Sequence, residues 1–186
     1  MKWVYIAFFL AMASACNKDG LLVLDVSKAA LVLDNGVLFY KETPFSGTLK
    51  SYFPTGNLES EIQYEDGKKQ GYEKHWFENG SKAIERYYSN GLKISVHKAW
   101  WETGNLKFEY HFNSNGEYDG NVKEWYSSGV LYRHFNYKDG KETGSQQMWK
   151  HDGTIKANYE VVNGERFGLI GLKKCYAVTV GEKEVR

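Results

Sequence analysis

Glycines recur along this chain in a fixed register, and that register constrains the fold more than any other feature. A unit opens at Gly47, Gly71, Ser95, Gly120, Gly144 and Gly168, in steps of 24, 24, 25, 24 and 24 residues. A second glycine follows at 56, 80, 104, 129 and 153, and a third at 67, 91, 116, 140 and 164. Turn formers precede them: Thr55, Asn79, Thr103, Ser128 and Asp152 before the second, Asp66, Asn90, Asn115, Asp139 and Asn163 before the third. Asn-Gly between alternating runs signals a β-hairpin, because a type I′ turn needs positive φ at both central residues. Gly71 to Gly91, GYEKHWFENGSKAIERYYSNG, shows the unit most clearly, with two aromatic-rich runs each closed by Asn-Gly. The extra residue of the longer step falls in Asn113-Ser114-Asn115-Gly116, a loop, where insertions are tolerated.

Between the turns, hydrophobicity alternates with period two and no helical period is present, which makes the array all-β. Five residues past each unit start stands a large aromatic: Tyr52, Trp76, Trp100, Trp125 and Trp149. In the returning strands Leu58, Ile62 and Tyr64 are expected on one face, as are Leu106, Phe108, Tyr110 and Phe112, and Leu131, Phe135 and Tyr137. If each second glycine closes a two-residue loop, Lys50 faces Glu61, Lys74 faces Glu85 and Lys98 faces Glu109. Lys123 then meets His134, and Gln147 meets Asn158. Opposite charges across strands, reached from turn chemistry alone, support the register. It puts these pairs on the face of the aromatic column. The other face receives Phe53 with Leu58, Leu49 with Ile62, Trp101 with Leu106, and Tyr126 with Leu131.

The first fifteen residues read as a signal peptide: Met1-Lys2, then an apolar run from Val4 to Met12 that is too short to span a bilayer as a helix. Ala13-Ser14-Ala15-Cys16 resembles a bacterial lipoprotein signal, in which Cys16 becomes the first residue and carries the lipid. Ala13 stands where Leu is usual, and Ala13-x-Ala15 also fits ordinary signal peptidase, which would leave a secreted protein with a free or paired cysteine. Asn17 after the cysteine resembles an outer-membrane sorting residue. Residues 16–44 are then a lipid-attached tether and N-terminal cap, 45–167 the hairpin array, and 168–186 a C-terminal cap and tail. Residues 21–33 fit helix or strand equally by periodicity, and Val37 to Lys41 reads as a strand ended by Thr43-Pro44.

A net charge of +1 gives no electrostatic footprint for nucleic acid. Aromatics at 16% with only two prolines exclude a disordered chain. Cys175 is the other cysteine besides Cys16, so no CxxC redox or metal pair exists,. The five histidines, His75, His97, His111, His134 and His151, occupy different offsets in their units and form no convergent metal or acid–base set. Neither a cofactor motif nor a nucleophile elbow is present. The aromatic column Tyr52, Trp76, Trp100, Trp125 and Trp149 is the candidate binding surface. Its plainer role is packing between neighbouring hairpins.

Strings such as GYEKHWFENG, KAWWETGNLKFEYHFNSNG and GNVKEWYSSGVLYRHFNYKDGK resemble the bacterial variant of the MORN repeat, and NGVLFYKETPFSG resembles the strand that leads into such arrays. The resemblance spans about residues 35 to 168. It implies an elongated, single-layer antiparallel meander of hairpins used as a scaffold or binding surface, with no catalytic motif. One hairpin cannot bury a face alone, so neighbours must supply the packing. Three functions follow as expectations. The first is a non-enzymatic lipid-anchored envelope protein binding a protein or glycan. The second is an envelope antitoxin or immunity protein. The third, an envelope hydrolase, needs a carboxylate or histidine cluster that the spacing does not show.

Overall fold

The computed structural model describes residues 22–171. Cys16, the leader, Cys175 and most of the expected C-terminal cap lie outside the described residues. The strands are β1 (Val23–Asp25), β2 (Leu31–Asp34), β3 (Val37–Tyr40), β4 (Thr43–Pro44), β5 (Gly47–Tyr52), β6 (Leu58–Glu65), β7 (Lys68–Trp76) and β8 (Lys82–Ser89). They continue as β9 (Leu92–Trp100), β10 (Leu106–Phe112), β11 (Tyr118–Trp125), β12 (Leu131–Lys138), β13 (Lys141–Glu142), β14 (Gly144–Trp149), β15 (Ile155–Val162) and β16 (Glu165–Leu169). The main sheet runs in chain order from β5 to β16, with β13 paired on β12, and β1 joins β5 in parallel, the lone crossover among the described residues. The ambiguous stretch 21–33 is therefore strand, turn and strand where described. β2, β3 and β4 form a separate three-stranded sheet. Thr43-Pro44 was expected to end a strand and instead forms one, pairing with Phe39 and Tyr40.

The two turn classes differ. At Asn90-Gly91 both residues have positive φ, 50° and 81°, and Ser89 pairs with Leu92, the two-residue type I′ hairpin that the dipeptide predicts. The second-glycine turns depart from that expectation. Phe77 N–H donates to the Ser81 carbonyl at 2.8 Å, and Gly80 N–H to the Phe77 carbonyl at 2.8 Å, closing a three-residue loop. Gly80 alone takes positive φ, 81°, while Asn79 Oδ1 accepts from the Ser81 amide at 2.9 Å and its hydroxyl at 2.6 Å. This Asx contact holds Asn79 out of the left-handed region. The same closure recurs at Phe53–Asn57, Trp101–Asn105, Tyr126–Val130 and Lys150–Thr154, and also at Asn113–Glu117, where the third-glycine turn departs from its class and Gly116 alone takes positive φ.

A three-residue loop alone would slip the register by one, yet Lys50 pairs with Glu61, Lys74 with Glu85, Lys98 with Glu109, Lys123 with His134, and Gln147 with Asn158. One β-bulge per hairpin restores it. In the third hairpin Leu106 pairs with Trp100 and Phe108 with Ala99, leaving Lys107 as the extra residue. The expected partnerships near the loops are corrected accordingly. Leu58 pairs with Tyr52, Leu106 with Trp100 and Leu131 with Trp125, on the face opposite Ile62, Phe108 and Phe135. Leu49 pairs with Ile62 as expected.

A second set of bulges lies at the unit starts. Ser95 has φ 62°, and pairing jumps there from Glu85↔Lys98 to Tyr87↔Ile94. Bulges sharpen twist and bend. One face of the sheet is consequently the buried one. Leu49, Glu73, His97, Val122 and Gln146 share the same unit offset and lie at 7%, 4%, 2%, 1% and 0% exposure. At the N-terminal end the small sheet packs on this face through Leu38, Phe45 and Leu49, with Tyr64 and Leu24 around them. It is latched by Leu38 N–H to the Gly67 carbonyl and Gly67 N–H to the Phe45 carbonyl, both 2.8 Å.

Candidate binding faces

The opposite face carries a charge ladder. Pairing between hairpins joins Glu61 to Lys74, Glu85 to Lys98 and Glu109 to Lys123. Pairing between β1 and β5 adds Asp25 beside Lys50. Eight consecutive strand positions, Asp25, Lys50, Glu61, Lys74, Glu85, Lys98, Glu109 and Lys123, therefore alternate in sign across the sheet. Lys50 reaches Glu61 at 3.0 Å and Lys98 reaches Glu109 at 3.1 Å. The middle pair differs: Glu85 takes Lys82 at 3.1 Å, and Lys74 lies 4.4 Å from the Tyr72 ring centroid.

Tyrosines brace the ladder from the next row. Tyr72 donates to Glu61, and Tyr87 to Glu85 at 3.0 Å. The bond to Glu61 pushes the Tyr72 hydroxyl up to about 12, because ionising it would set two anions side by side. Burial opposes ionisation of Glu61, but the hydrogen bonds from Tyr72 and Lys50 hold its carboxyl below the usual range.

The aromatic column lies on this same face, next to the ladder toward the loops. Trp76, Trp100, Trp125 and Trp149 are half-buried, and Tyr52 is 46% exposed. Successive column residues sit two strands apart, about 10 Å, too far for ring-on-ring packing. Among the described residues the column's rings stack on no other ring. Leu58, Lys82, Leu106, Leu131 and Ile155, their registered partners, fill the gaps. Lys82 extends over the Trp100 ring at 5.7 Å. The result is a continuous stripe of aromatic, aliphatic and alkyl-ammonium surface edged by paired charges.

Polar groups on the buried face were not legible from the spacing. Glu73 accepts from Lys69 at 2.7 Å, contacts His75 at 2.9 Å, and has Arg86 at 3.7 Å. Burial works against its charge, yet the bonds from His75 and Lys69 hold its carboxyl far below the ordinary range. Burial, with Glu73 beside it, pushes the Tyr88 hydroxyl up to about 12. His97 Nε2 donates to the Tyr87 carbonyl at 2.8 Å, and burial pushes its pKa down. Gln146 donates to the carbonyls of Asn136 and Thr143 at 2.8 and 2.9 Å and accepts from Asn136 N–H at 3.1 Å. Bulges free backbone groups that must find partners, and His97 and Gln146 supply them, whereas Glu73 is held by Lys69, His75 and Arg86. Two of the five residues at this offset, Leu49 and Val122, are apolar. Among the described residues no group of three His, Cys, Asp or Glu is placed to hold a metal.

No curated protein matches the chain. Three segments, residues 45–66, 69–91 and 118–139, match the MORN repeat variant. They are the first, second and fourth hairpins. The third carries Ser95 at its unit start and the additional loop residue near Asn115, and it still keeps the same pairing and loop closure. The array is thus five hairpins of one geometry, three of which carry a recognisable MORN repeat variant sequence.

Proposed function

We propose that this protein binds a partner and catalyses no reaction, and that it is held in the bacterial cell envelope by a lipid on Cys16. The outer membrane is the expected site, given Asn17. The observation that carries the binding role is the stripe through Trp76, Trp100, Trp125 and Trp149, half-buried and filled by Leu106, Leu131 and Ile155. Large rings fixed by packing but still reached by solvent bind at low entropic cost. The alternating ladder beside them has no net sign over most of its length, which suits an uncharged stretch of protein or glycan over a polyanion. A MORN-like repeat array is suited to such a role.

Two measurements test this reading. Metabolic labelling with a fatty acid should mark the wild type and not Cys16→Ser, and an unlabelled, fully soluble wild type would refute the anchor. Capture from envelope extract should be lost in Trp100→Ala while its melting temperature changes little. Loss of stability with unchanged capture would reduce the column to packing.

A further inference from the structure

The third and fourth hairpins enclose a cleft of about 400 Å³ at their loop ends, within the range of small-molecule sites. Trp101, Phe108 and Tyr110 line it from the third hairpin, and Tyr126 and Tyr132 from the fourth. Phe108 and Tyr110 belong to the buried face and Trp100 is not part of the lining, although Trp125 of the stripe borders the cleft.

The repeat itself shows what is special here. Where Phe108 stands, the other hairpins have Ser60, Ile84, Arg133 and Ala157. Where Tyr132 stands, they have Glu59, Ala83, Lys107 and Lys156. Glu124, also in the lining, replaces Ser51, His75, Ala99 and Met148. Rings and a carboxylate converge at one junction of an otherwise regular array.

The groups are fixed in place. Trp101 Nε1 donates to the Trp125 carbonyl at 3.0 Å, and Tyr126 donates to the Trp149 carbonyl at 3.2 Å. The Phe108 and Tyr110 rings stack 4.3 Å apart. Glu124 Oε1 accepts both from the Tyr110 hydroxyl and from Arg133 at 2.6 Å. Its Oε2 has no hydrogen bond among the described residues. Lys107 lies in the lining with its ammonium 4.4 Å from the Trp101 ring centroid.

These features select a ligand chemistry. A purely apolar molecule would strip water from Glu124 Oε2 and return no hydrogen bond. An organic cation would meet Lys107 and Arg133 against the single charge of Glu124. A sugar ring satisfies both demands: its C–H face covers aromatic rings while its rim offers hydroxyl donors and acceptors. We propose that this cleft binds a neutral saccharide, with a hydroxyl donating to Glu124 Oε2 and another accepting from the Lys107 ammonium. Binding costs little ordering, since the rings are already held.

The test is titration of the full chain with cellobiose, maltose, lactose and diacetylchitobiose, read by tryptophan fluorescence and saturation-transfer NMR. At least one should bind saturably with a dissociation constant of about 0.1–10 mM. Tyr132→Ala and Lys107→Ala install the residue that the second hairpin carries at Ala83, so the fold has a precedent for both. Tyr132→Ala should weaken binding about tenfold, Lys107→Ala and Glu124→Gln by a similar factor, and Trp100→Ala should leave it unchanged. Binding by none of the four at about 20 mM, wild-type affinity in both Tyr132→Ala and Glu124→Gln, or tighter binding of choline than of any saccharide would overturn the proposal. Partner capture through the Trp stripe is scored on Trp100→Ala, so either reading can fail without the other.

Discussion

The Glu73 carboxylate and the Lys69 ammonium meet at 2.7 Å, although only 4% of Glu73 is exposed. An unpaired charge at that depth is untenable, so the contact ties acid stability to this strand. The folded pKa lies well below the unfolded value of about 4.3. The stabilisation is therefore complete above that value and is lost as pH falls toward the folded pKa, because the unfolded state takes up protons first. Glu73→Gln should lower stability by about 1–3 kcal/mol at pH 7. It stays at the modest end because Lys69 and Arg86 are each 31% exposed and can rehydrate. Urea unfolding from pH 7 to pH 3 should show the gap between wild type and variant closing in acid. A constant gap would show that Glu73 does not carry the effect.

Ser95 takes φ 62° at a unit start where the other five units have glycine. The left-handed region is strained for residues with a Cβ. Ser95→Gly should therefore raise stability by about 0.5–1 kcal/mol, the relief of strain exceeding the added freedom of the unfolded chain. The denaturation midpoint should move with an unchanged slope, and a lower midpoint would refute this account.

Gly80 closes a three-residue loop at φ 81° with open space around it. Gly80→Val should cost about 1–3 kcal/mol from backbone strain alone, with no clash contributing. Gly80→Asn should be markedly milder, since Asn tolerates that region. Equal losses in thermal melts of the two variants would argue against a conformational cause.

Lys98 has Glu109 on one side and Glu85 on the other. Lys98→Glu aligns three carboxylates, and Glu109→Lys in the same chain should recover part of the loss. The coupling expected from a double-mutant cycle is about 0.2–1 kcal/mol, shrinking at high salt. No coupling at low salt would mean that the ladder records register without contributing to stability.

Turn dipeptides were sufficient to read the hairpins, the unit length and the three Lys–Glu pairings within hairpins, but not those between hairpins. The pairing emerged from two departures that offset each other: the loop at Asn79-Gly80 has three residues instead of two, and a bulge such as Lys107 adds one back. Neither leaves a mark in period-two alternation, so the faces of Leu58, Leu106 and Leu131 were misassigned. The polar side chains Glu73, His97 and Gln146 were illegible for a related reason. His97 and Gln146 answer backbone groups freed at bulges, and bulges are set by tertiary bending; Glu73 is instead enclosed by Lys69, His75 and Arg86. The junction at Glu124 was also hidden, because Phe108, Tyr132 and Glu124 are far apart in sequence and become neighbours only through sheet order.

Strict alternation along Asp25, Lys50, Glu61, Lys74, Glu85, Lys98, Glu109 and Lys123 imposes a parity rule on how such a chain can change length. Removing one strand would set lysine beside lysine or glutamate beside glutamate, whereas removing two in succession joins opposite signs again. Duplication and deletion are thereby confined to whole hairpins, and the array behaves as a ruler whose smallest graduation is about 10 Å. The sign change ends at His134 and Gln147, so the last hairpins are released from that rule and are where a neutral, single-site specialisation is least constrained.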